Sequence, residues 1–354
     1  MALTPDSRAH GAEHGQTGAS SRAVLVTGGA GYIGSHVMQA LRAAGWKPVA
    51  FDDLSHGFAE ACLGEARVRG DIRDLDAVSG AMRAHDVCAV IHLAGLIEVG
   101  RSTVRPDLFW DHNVAGTAIV LDAMRACGVG RIVFSSSAAV YGAVPGATWR
   151  DLLTEESPKD PASPYGDTKL AAERMISAHC AAFGATAVAL RYFNAAGADP
   201  DGRLGEAHEP ETHLIPLAIE AGLGRRGSLT VFGQDFETPD GSCLRDYIHV
   251  TDLASAHVAA LDLSLEEGRF EAMNVGTGQG RSVLEVIEAV ETALDRSLPW
   301  TLGARRAGDP ACLVADPARA GGLLGWRPIH SSLDEIVETA VRWHRRPRYG
   351  PGAA

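Results

Sequence analysis

A doubly wound α/β fold is what the sequence predicts, and three observations lead there. Short apolar, β-branched runs alternate with helical stretches between residues 22 and 190. The first of these runs feeds three glycines spaced by two residues, Gly28, Gly31 and Gly34, and the next run ends in the acids Asp52 and Asp53. Strands alternating with helices imply a parallel sheet covered on both faces, and right-handed crossovers put the ligand crevice at the carboxyl ends of the strands.

Taken in order, the expected strands fall at 24–26, 49–51, 68–69, 89–93, 131–135 and 187–190. Between the first two, the glycine turn opens a helical stretch that runs to Leu41. Glycine admits a close backbone approach to a pyrophosphate, and the N–H groups and dipole of the helix that follows stabilise the anion, which makes Gly28, Gly31, Tyr32, Ile33 and Gly34 candidate cofactor residues. An acid at the end of the next strand, here Asp52 or Asp53, stands where a dinucleotide site places a carboxylate on the adenosine ribose. Such a carboxylate accepts from both hydroxyls and repels a 2′-phosphate, so the expected cofactor is NAD rather than NADP. After Asn194 the texture changes to loops rich in Gly, Asp, Glu and Pro, at 198–211 and 234–242, followed by helical stretches at 283–294 and 333–344. The expected division is a tail at 1–21, a Rossmann-type NAD-binding domain at 22–195 and a smaller α/β substrate-binding domain at 196–347, with the chain crossing between the last two.

The chain has 354 residues, 46% of them hydrophobic and 21% charged, enough for one large domain or two moderate ones. A net charge of −12 argues against nucleic acid and anionic membrane as partners, so a phosphate-bearing ligand has to meet local arginines. No window approaches the ~20 consecutive apolar residues of a spanning helix, and 1–21, rich in Gly, Ala, Ser, His and Thr, lacks the apolar core of a secretory signal and reads as a disordered tail. Cys62, Cys88, Cys127, Cys180, Cys243 and Cys312 are scattered without CxxC spacing, which points to a reducing cytoplasm and no structural metal. The histidines, His92 in its apolar strand among them, read as structural, and no metal site is expected.

The segment Tyr165-Gly166-Asp167-Thr168-Lys169 carries the chemistry. A tyrosine four residues before a lysine on a helix shares its face. Tyrosine ionises near ~10, and a fixed positive charge, helped by a nicotinamide cation, favours the phenolate that could accept a proton near neutrality. Only Lys47, Lys159 and Lys169 are lysines among 32 Lys and Arg, so a chain that prefers arginine keeps at this position the compact point charge.

Several long stretches, in order, make the chain resemble the extended short-chain dehydrogenase/reductase family, and within it the 4-epimerases of UDP-hexoses, from about Ala23 to Trp343. They are TGGAGYIGSH at 27–36, GDIRD at 70–74, VIHLAGL at 90–96, NVAGT at 113–117, FSSSAAVYG at 134–142, SPYGDTKLAAE at 163–173, LRYFNAAGA at 190–198 and RDYIHVTDLA at 245–254. The resemblance implies inversion at C4 of UDP-glucose or UDP-galactose through a 4-keto sugar, with NAD as a resident cofactor, and a homodimer pairing the stretches 113–127 and 165–183 with their copies. It implies that Tyr165 is the general base and acid, that Lys169 binds the nicotinamide ribose and tunes Tyr165, and that Ser137 bonds the reacting hydroxyl. Asp71 and Ile72 would meet the adenine, Leu93, Ala94 and Gly95 would line the cofactor, Asn113 would tie down the neighbouring helix and the site, and Tyr192 and Phe193 would pack along the nicotinamide. Asn194, His213, Leu214, Thr230, Val231, Phe232, Arg245 and the run 306–309, with Arg306 and Asp309, would hold the UDP portion, with charge-assisted contacts from the arginines to the diphosphate.

The chain departs from the family at three places. Ile97 stands where many relatives carry a lysine near the cofactor phosphates, with Arg101 the candidate substitute. His213 stands where some have asparagine, and Leu313 stands where a tyrosine or a smaller residue governs room for an N-acetyl group. Other readings are weighed against the same residues. A nucleotide-sugar dehydratase needs an acid and a base beside the serine, and the run Ser137-Ala138-Ala139 has no carboxyl group. An epimerase of another UDP-sugar (an N-acetylhexosamine, a pentose or a uronate) shares the C4 chemistry and stays open. A non-catalytic NAD-binding module would have no need of Ser137, Tyr165 and Lys169 together.

Overall fold

In a computed structural model, residues 22–353 are described save 145, 147, 307 and 308; the expected tail at 1–21 lies outside the described residues. Seven parallel strands form the main sheet: β1 (Ala23–Thr27), β2 (Lys47–Asp52), β3 (Ala66–Arg69), β4 (Val87–His92), β5 (Arg131–Ser137), β6 (Thr186–Tyr192) and β7 (Phe270–Val275), in the spatial order β7-β6-β5-β4-β1-β2-β3. The strand order reverses between β1 and β4, which opens a crevice at their carboxyl ends. Every residue of β1 is buried, as a central parallel strand requires.

The period of two along each strand sorts the core into two layers. Val24 and Val26 face α1 (Tyr32–Ala43) and α6 (Val250–Asp262), packing with Val37, Met38, Leu41, Leu253 and Ala256. Leu25 faces the other way, toward α2 (Leu75–Ala84), α3 (Gly116–Cys127) and α4 (Pro164–Phe183), with Met82, Val120, Met124 and Ile176. At ~1.5–3 kcal/mol for each fully buried large apolar side chain, these two layers are the main gain that offsets ordering the sheet.

The chemistry-bearing helix α4 has clear start and stop signals. The Ser163 side chain accepts from the Gly166 N–H at 3.2 Å, Pro164 occupies the first turn, and Gly184 at φ +75° ends the helix. The start fixes Tyr165 one turn ahead of Lys169, both on the buried side.

A second unit is built on the strand Leu244–His249, which pairs with Gly280–Ser282 antiparallel and with Asn194–Ala196 and Cys312–Leu313 parallel. Leu229–Phe232 pairs parallel with Trp300–Gly303 beside it. Its core lies among α5 (Leu214–Gly222), α7 (Val283–Leu294) and α8 (Leu333–Arg345), through Ile219, Val286, Val290, Ile336 and Val337. Asp246, fully buried, accepts from the N–H groups of Thr277, Gly278 and Ala315 and from the Thr277 hydroxyl, which locks the central strand to two loops. The chain does not stay in this unit once it has entered it: α6 returns to pack on α1, and β7 completes the main sheet beside β6.

Candidate active site

The carboxyl ends of β1, β2, β4, β5 and β6 open onto one cavity of about 740 Å³. Its floor at β1 is the glycine turn. Gly28 has φ +72°, and a Cβ there would sit 2.9 Å from the Ala94 nitrogen; a Cβ on Gly34 would fall 2.0 Å from the Gly28 carbonyl oxygen. Glycine at Gly34 lets α1 lie against the turn, and glycine at Gly28 lets the turn lie against the backbone after β4. Gly31 begins α1 with no side-chain cap and no acid in the first turn, and Gly31, Tyr32, Ile33 and Gly34 all line the cavity. An uncapped helix start facing a cavity fits the diphosphate of a dinucleotide.

The two acids after β2 divide their work. Both line the cavity, but Asp52 is buried and accepts from the N–H groups of Ala30 (3.0 Å) and Leu54 (2.8 Å), while Asp53 accepts from the Ser55 N–H and hydroxyl. Burial raises the Asp52 carboxyl above its ordinary range, with both N–H bonds working against the rise. At the other end of that side, Asp71 is held by Arg73 at 2.5 Å, which keeps its carboxyl low, and Ile72 is buried beneath the cavity wall. Leu93, Ala94 and Gly95 line the cavity after β4.

Asn113 does not line it. Its side chain accepts from the Leu96 N–H at 2.8 Å and donates to the Leu96 carbonyl and the Thr168 hydroxyl, so it ties the loop after β4 to α4. Ile97 and Arg101 both line the cavity, and the Arg101 guanidinium is held by Glu98 at 3.1 Å.

Ser137 and Tyr165 meet at the cavity wall, joined by a hydrogen bond, with Tyr192, Phe193 and Asn194 beside them. Lys169 lies just behind, buried, its ammonium donating to the Ser135 carbonyl at 2.8 Å and standing 5.9 Å from the centroid of the Tyr165 ring. Burial pushes the Tyr165 phenol up, against its bond with Ser137, and pulls the Lys169 ammonium down to about 8, against the pull of Glu173. Within the chain alone, then, burial outweighs the charge that the Tyr/Lys spacing brings near the phenol. Beneath the pair, Glu173 and Arg191 form a buried two-pronged ion pair at 2.6 and 2.8 Å; Ser136 donates to Glu173 and Arg191 donates to the Tyr141 hydroxyl. A desolvated pair costs less when its remaining positions are bonded in this way, and the network holds β5, β6 and α4 in register.

The residues expected to hold the nucleotide of the substrate are less gathered. His213 lines the cavity, but its Nδ1 is engaged with Glu206 at 2.8 Å and Glu211 at 3.1 Å. Leu214 opens α5 and packs on the second core. In the strand Leu229–Phe232, Thr230 is exposed and Phe232 carries the Arg306 guanidinium 4.1 Å over its ring, but Val231 turns its side chain into the core and can offer a ligand only its main chain. Arg245 and Asp309 are paired with each other at 2.5 Å, and Arg245 also donates to the carbonyls of Leu244 and Pro310. Leu313 packs in a small cluster with Val140, Tyr141, Leu153, Leu170 and Phe193, one residue removed from the cavity that Phe193 lines.

Glu206, His208 and Thr212 also line the cavity and were not singled out from the sequence. With Glu211 and His213 they belong to a short run, Glu-x-His-x-x-Glu-x-His, whose spacing was the available signal. The reading of the histidines as structural does not take this spacing into account.

A glycine turn, acids after β2 and a Ser/Tyr pair on one cavity, with Lys169 just behind the pair, define a dinucleotide-dependent enzyme of the short-chain dehydrogenase type. The chain belongs to the NAD-dependent epimerase/dehydratase family, which it matches over residues 24–276. More narrowly, it is 48% identical to the UDP-glucose 4-epimerase of Azospirillum brasilense, over 96% of this chain and 96% of that one. The crystal structure of the Brucella ovis UDP-glucose 4-epimerase in complex with NAD superposes with a TM-score of 0.86 at 47% identity, covering 90% of this chain and 97% of that one. The Bifidobacterium longum enzyme, in complex with NAD⁺ and UDP, has a TM-score of 0.86 at 36% identity, covering 91% and 98%.

Proposed function

We propose that this chain interconverts UDP-glucose and UDP-galactose by inverting the sugar at C4, and the observation that carries the reading is Ser137, Tyr165 and Lys169 grouped beside the uncapped start of α1. Gly28, Gly31, Asp52 and Asp53 would hold NAD, which would supply an acceptor and then a donor for the C4 hydride and would not be consumed. Tyr165 as phenolate takes the proton of the 4-hydroxyl as the hydride leaves, and gives it back as the hydride returns. Ser137 bonds the same hydroxyl and orients it. Lys169 holds the nicotinamide ribose; at about 8 its ammonium is still the majority form at neutral pH, and it supplies the positive charge that, with the nicotinamide ring, offsets the burial that pushes the phenol up.

Inversion needs a firm hold on the nucleotide and a loose one on the sugar. Arg245 and Arg306 are the cations proposed for the diphosphate, with Arg245 exchanging its partner Asp309 for phosphate oxygens. Asn194, Leu214, Thr230, Phe232 and the main chain of Val231 complete the proposed grip. Asp52 and Asp53 favour NAD over its 2′-phosphorylated form, and Asp71 and Ile72 stand where the adenine would lie. No carboxyl group follows Ser137, which leaves elimination without its acid and base.

The proposal extends to a cytoplasmic homodimer. The six cysteines are free, which suits a reducing compartment, and no described helix is long and apolar enough to cross a membrane. The helices α3 and α4 lie side by side, with Phe183 left 59% exposed at the end of α4. The deciding experiment is incubation of the purified protein with UDP-galactose, UDP-N-acetylgalactosamine, UDP-xylose and UDP-glucuronate, with the epimer resolved by chromatography and the nicotinamide released by denaturation. UDP-glucose from UDP-galactose and NAD in the released fraction are the expected results; NADP, or no turnover of any of the four, would overturn the reading.

A further inference from the structure

The segment from Glu206 to His213 forms the cavity wall that leads into α5. Four of its side chains turn inward on one point. The Glu206 carboxylate oxygen Oε1 lies 2.8 Å from His213 Nδ1 and 3.0 Å from His208 Nδ1; Glu211 reaches the same two nitrogens, His213 Nδ1 at 3.1 Å and His208 Nδ1 at 3.9 Å. One ligating atom from each of the four residues lies within 4.8 Å of all the others. An ion bound tetrahedrally at ~2.0–2.1 Å holds its ligand atoms roughly 3.3 Å apart. The separations here bracket that figure, so small side-chain rotations suffice to close a shell.

Charge points the same way. Glu206 and Glu211 keep only 5% and 8% of their side-chain surface exposed, and two carboxylates so near each other repel at short range in a poorly solvated place. With neutral imidazoles the group carries two negative charges, and one divalent ion cancels them. Two imidazole nitrogens and two carboxylate oxygens are the donor set that suits zinc and its neighbours rather than magnesium or calcium, which prefer oxygen alone. The alternative, two protonated imidazoles sharing one carboxylate oxygen, places two cations within ring contact, their centroids 5.3 Å apart.

We propose that Glu206, His208, Glu211 and His213 form a binding site for one divalent ion of the zinc class. Four protein ligands leave no open position, so the ion is structural and activates no water. Its place gives it a task. His213 is the residue just before α5, and the His208 ring stands edge-on to Tyr32 at 6.2 Å, whose hydroxyl donates to the Gly197 carbonyl at 2.7 Å. The ion would therefore clamp the wall of the substrate side to the first turn of α1. This does not depend on the epimerase reading, because metal content is measured apart from turnover.

The test uses the full-length, untagged protein, stripped by dialysis against a chelator and reloaded with zinc(II) or cobalt(II). Expected are one zinc per chain by mass spectrometry of the metals, the visible d–d absorption of tetrahedral cobalt(II), and a rise in the thermal midpoint on zinc addition but not on magnesium addition. His208→Gln and Glu211→Gln should each lose the stoichiometric metal, the cobalt absorption and the thermal shift. Wild-type protein that takes up only a small fraction of an equivalent of zinc refutes the proposal whether or not either variant folds. Variants that bind as much metal as the wild type refute it as well, by placing the metal elsewhere.

Discussion

Replacing Tyr165 by phenylalanine separates the chemistry of the site from its architecture. The change removes one hydroxyl from a residue that is 9% exposed, and the ring keeps its edge-on contact with Phe109 at 6.5 Å. Ser137 loses one partner yet still accepts from the Ala139 N–H at 3.2 Å, so no buried group is orphaned. The loss in stability is then that of one ordinary hydrogen bond, ~0.5–1.5 kcal/mol, and the thermal midpoint should move by only a few degrees. Proton transfer is affected far more. Removing a positioned general acid and base is worth ~100-fold to ~10,000-fold, or about 3–5 kcal/mol in the barrier. The assay is conversion of UDP-galactose, with UDP-glucose detected by a coupled dehydrogenase, alongside the NAD released on denaturation. Expected is a folded, NAD-loaded protein with turnover down at least a hundredfold, and loss of the rise in kcat with pH that wild type owes to ionisation of the Tyr165 phenol. A folded, loaded variant within several-fold of wild type would refute the role given to Tyr165.

Three further outcomes are expected. Leu313→Tyr should lower activity on UDP-N-acetylgalactosamine more than on UDP-galactose, since steric discrimination in an apolar pocket is worth ~1–3 kcal/mol; equal loss on both would mean that Leu313 only packs beside Phe193. Light scattering at micromolar concentration should give twice the chain mass, and a monomer would remove the homodimer from the proposal. Burial holds His92 down to about 3 and His36 and His257 down to about 4. Depressed folded values mean stability that is complete above the ordinary value of ~6.5 and is lost as pH falls below it, about 2 kcal/mol for His92 alone by pH 5. The urea midpoint should thus fall between pH 7.5 and pH 5 and fall less in His92→Gln; an unchanged midpoint in wild type would contradict the assignment.

The main sheet was legible because five of its first six strands are long and buried enough to stand out as apolar runs, β3 being short and largely exposed, and because the glycine turn dates the start of α1 to within a residue. In the second unit the helices expected at 283–294 and 333–344 were legible too, but the strands were not. Strands such as Cys312–Leu313 and Asn194–Ala196 have two or three residues and owe their register to Leu244–His249, a contact no local pattern encodes. The return of the chain into α6 and β7 is likewise a tertiary fact, since Phe270–Val275 reads locally as any short strand. Within the site, the residues that follow strands of the main sheet were legible as cavity residues. Val231 was not, because a three-residue run does not say which of its side chains faces a core. Asp246 lies in a matched motif next to Arg245, yet its four bonds are internal, which shows how a motif can be kept by the fold as much as by a ligand. Glu206 and His208 were missed for a different reason: their meaning lies in four side chains folding back on one another, which spacing alone only hints at.

The chain passes between the units five times: from β6 into Asn194–Ala196, from Leu244–His249 into α6, from β7 toward Gly280–Ser282, from Cys312–Leu313 back to Ala320 and Trp326 in the core beside α1, and from there into α8. Lobes joined by a single strand share one hinge; these share all five crossings. The cavity is accordingly lined from both units, by the strand ends of the main sheet and by Glu206, His208 and His213. The lacing also means that neither half is a free-standing piece: a cut after residue 195 leaves the sheet without its seventh strand and α1 without the helix that covers it, exposing an edge that another chain could pair with.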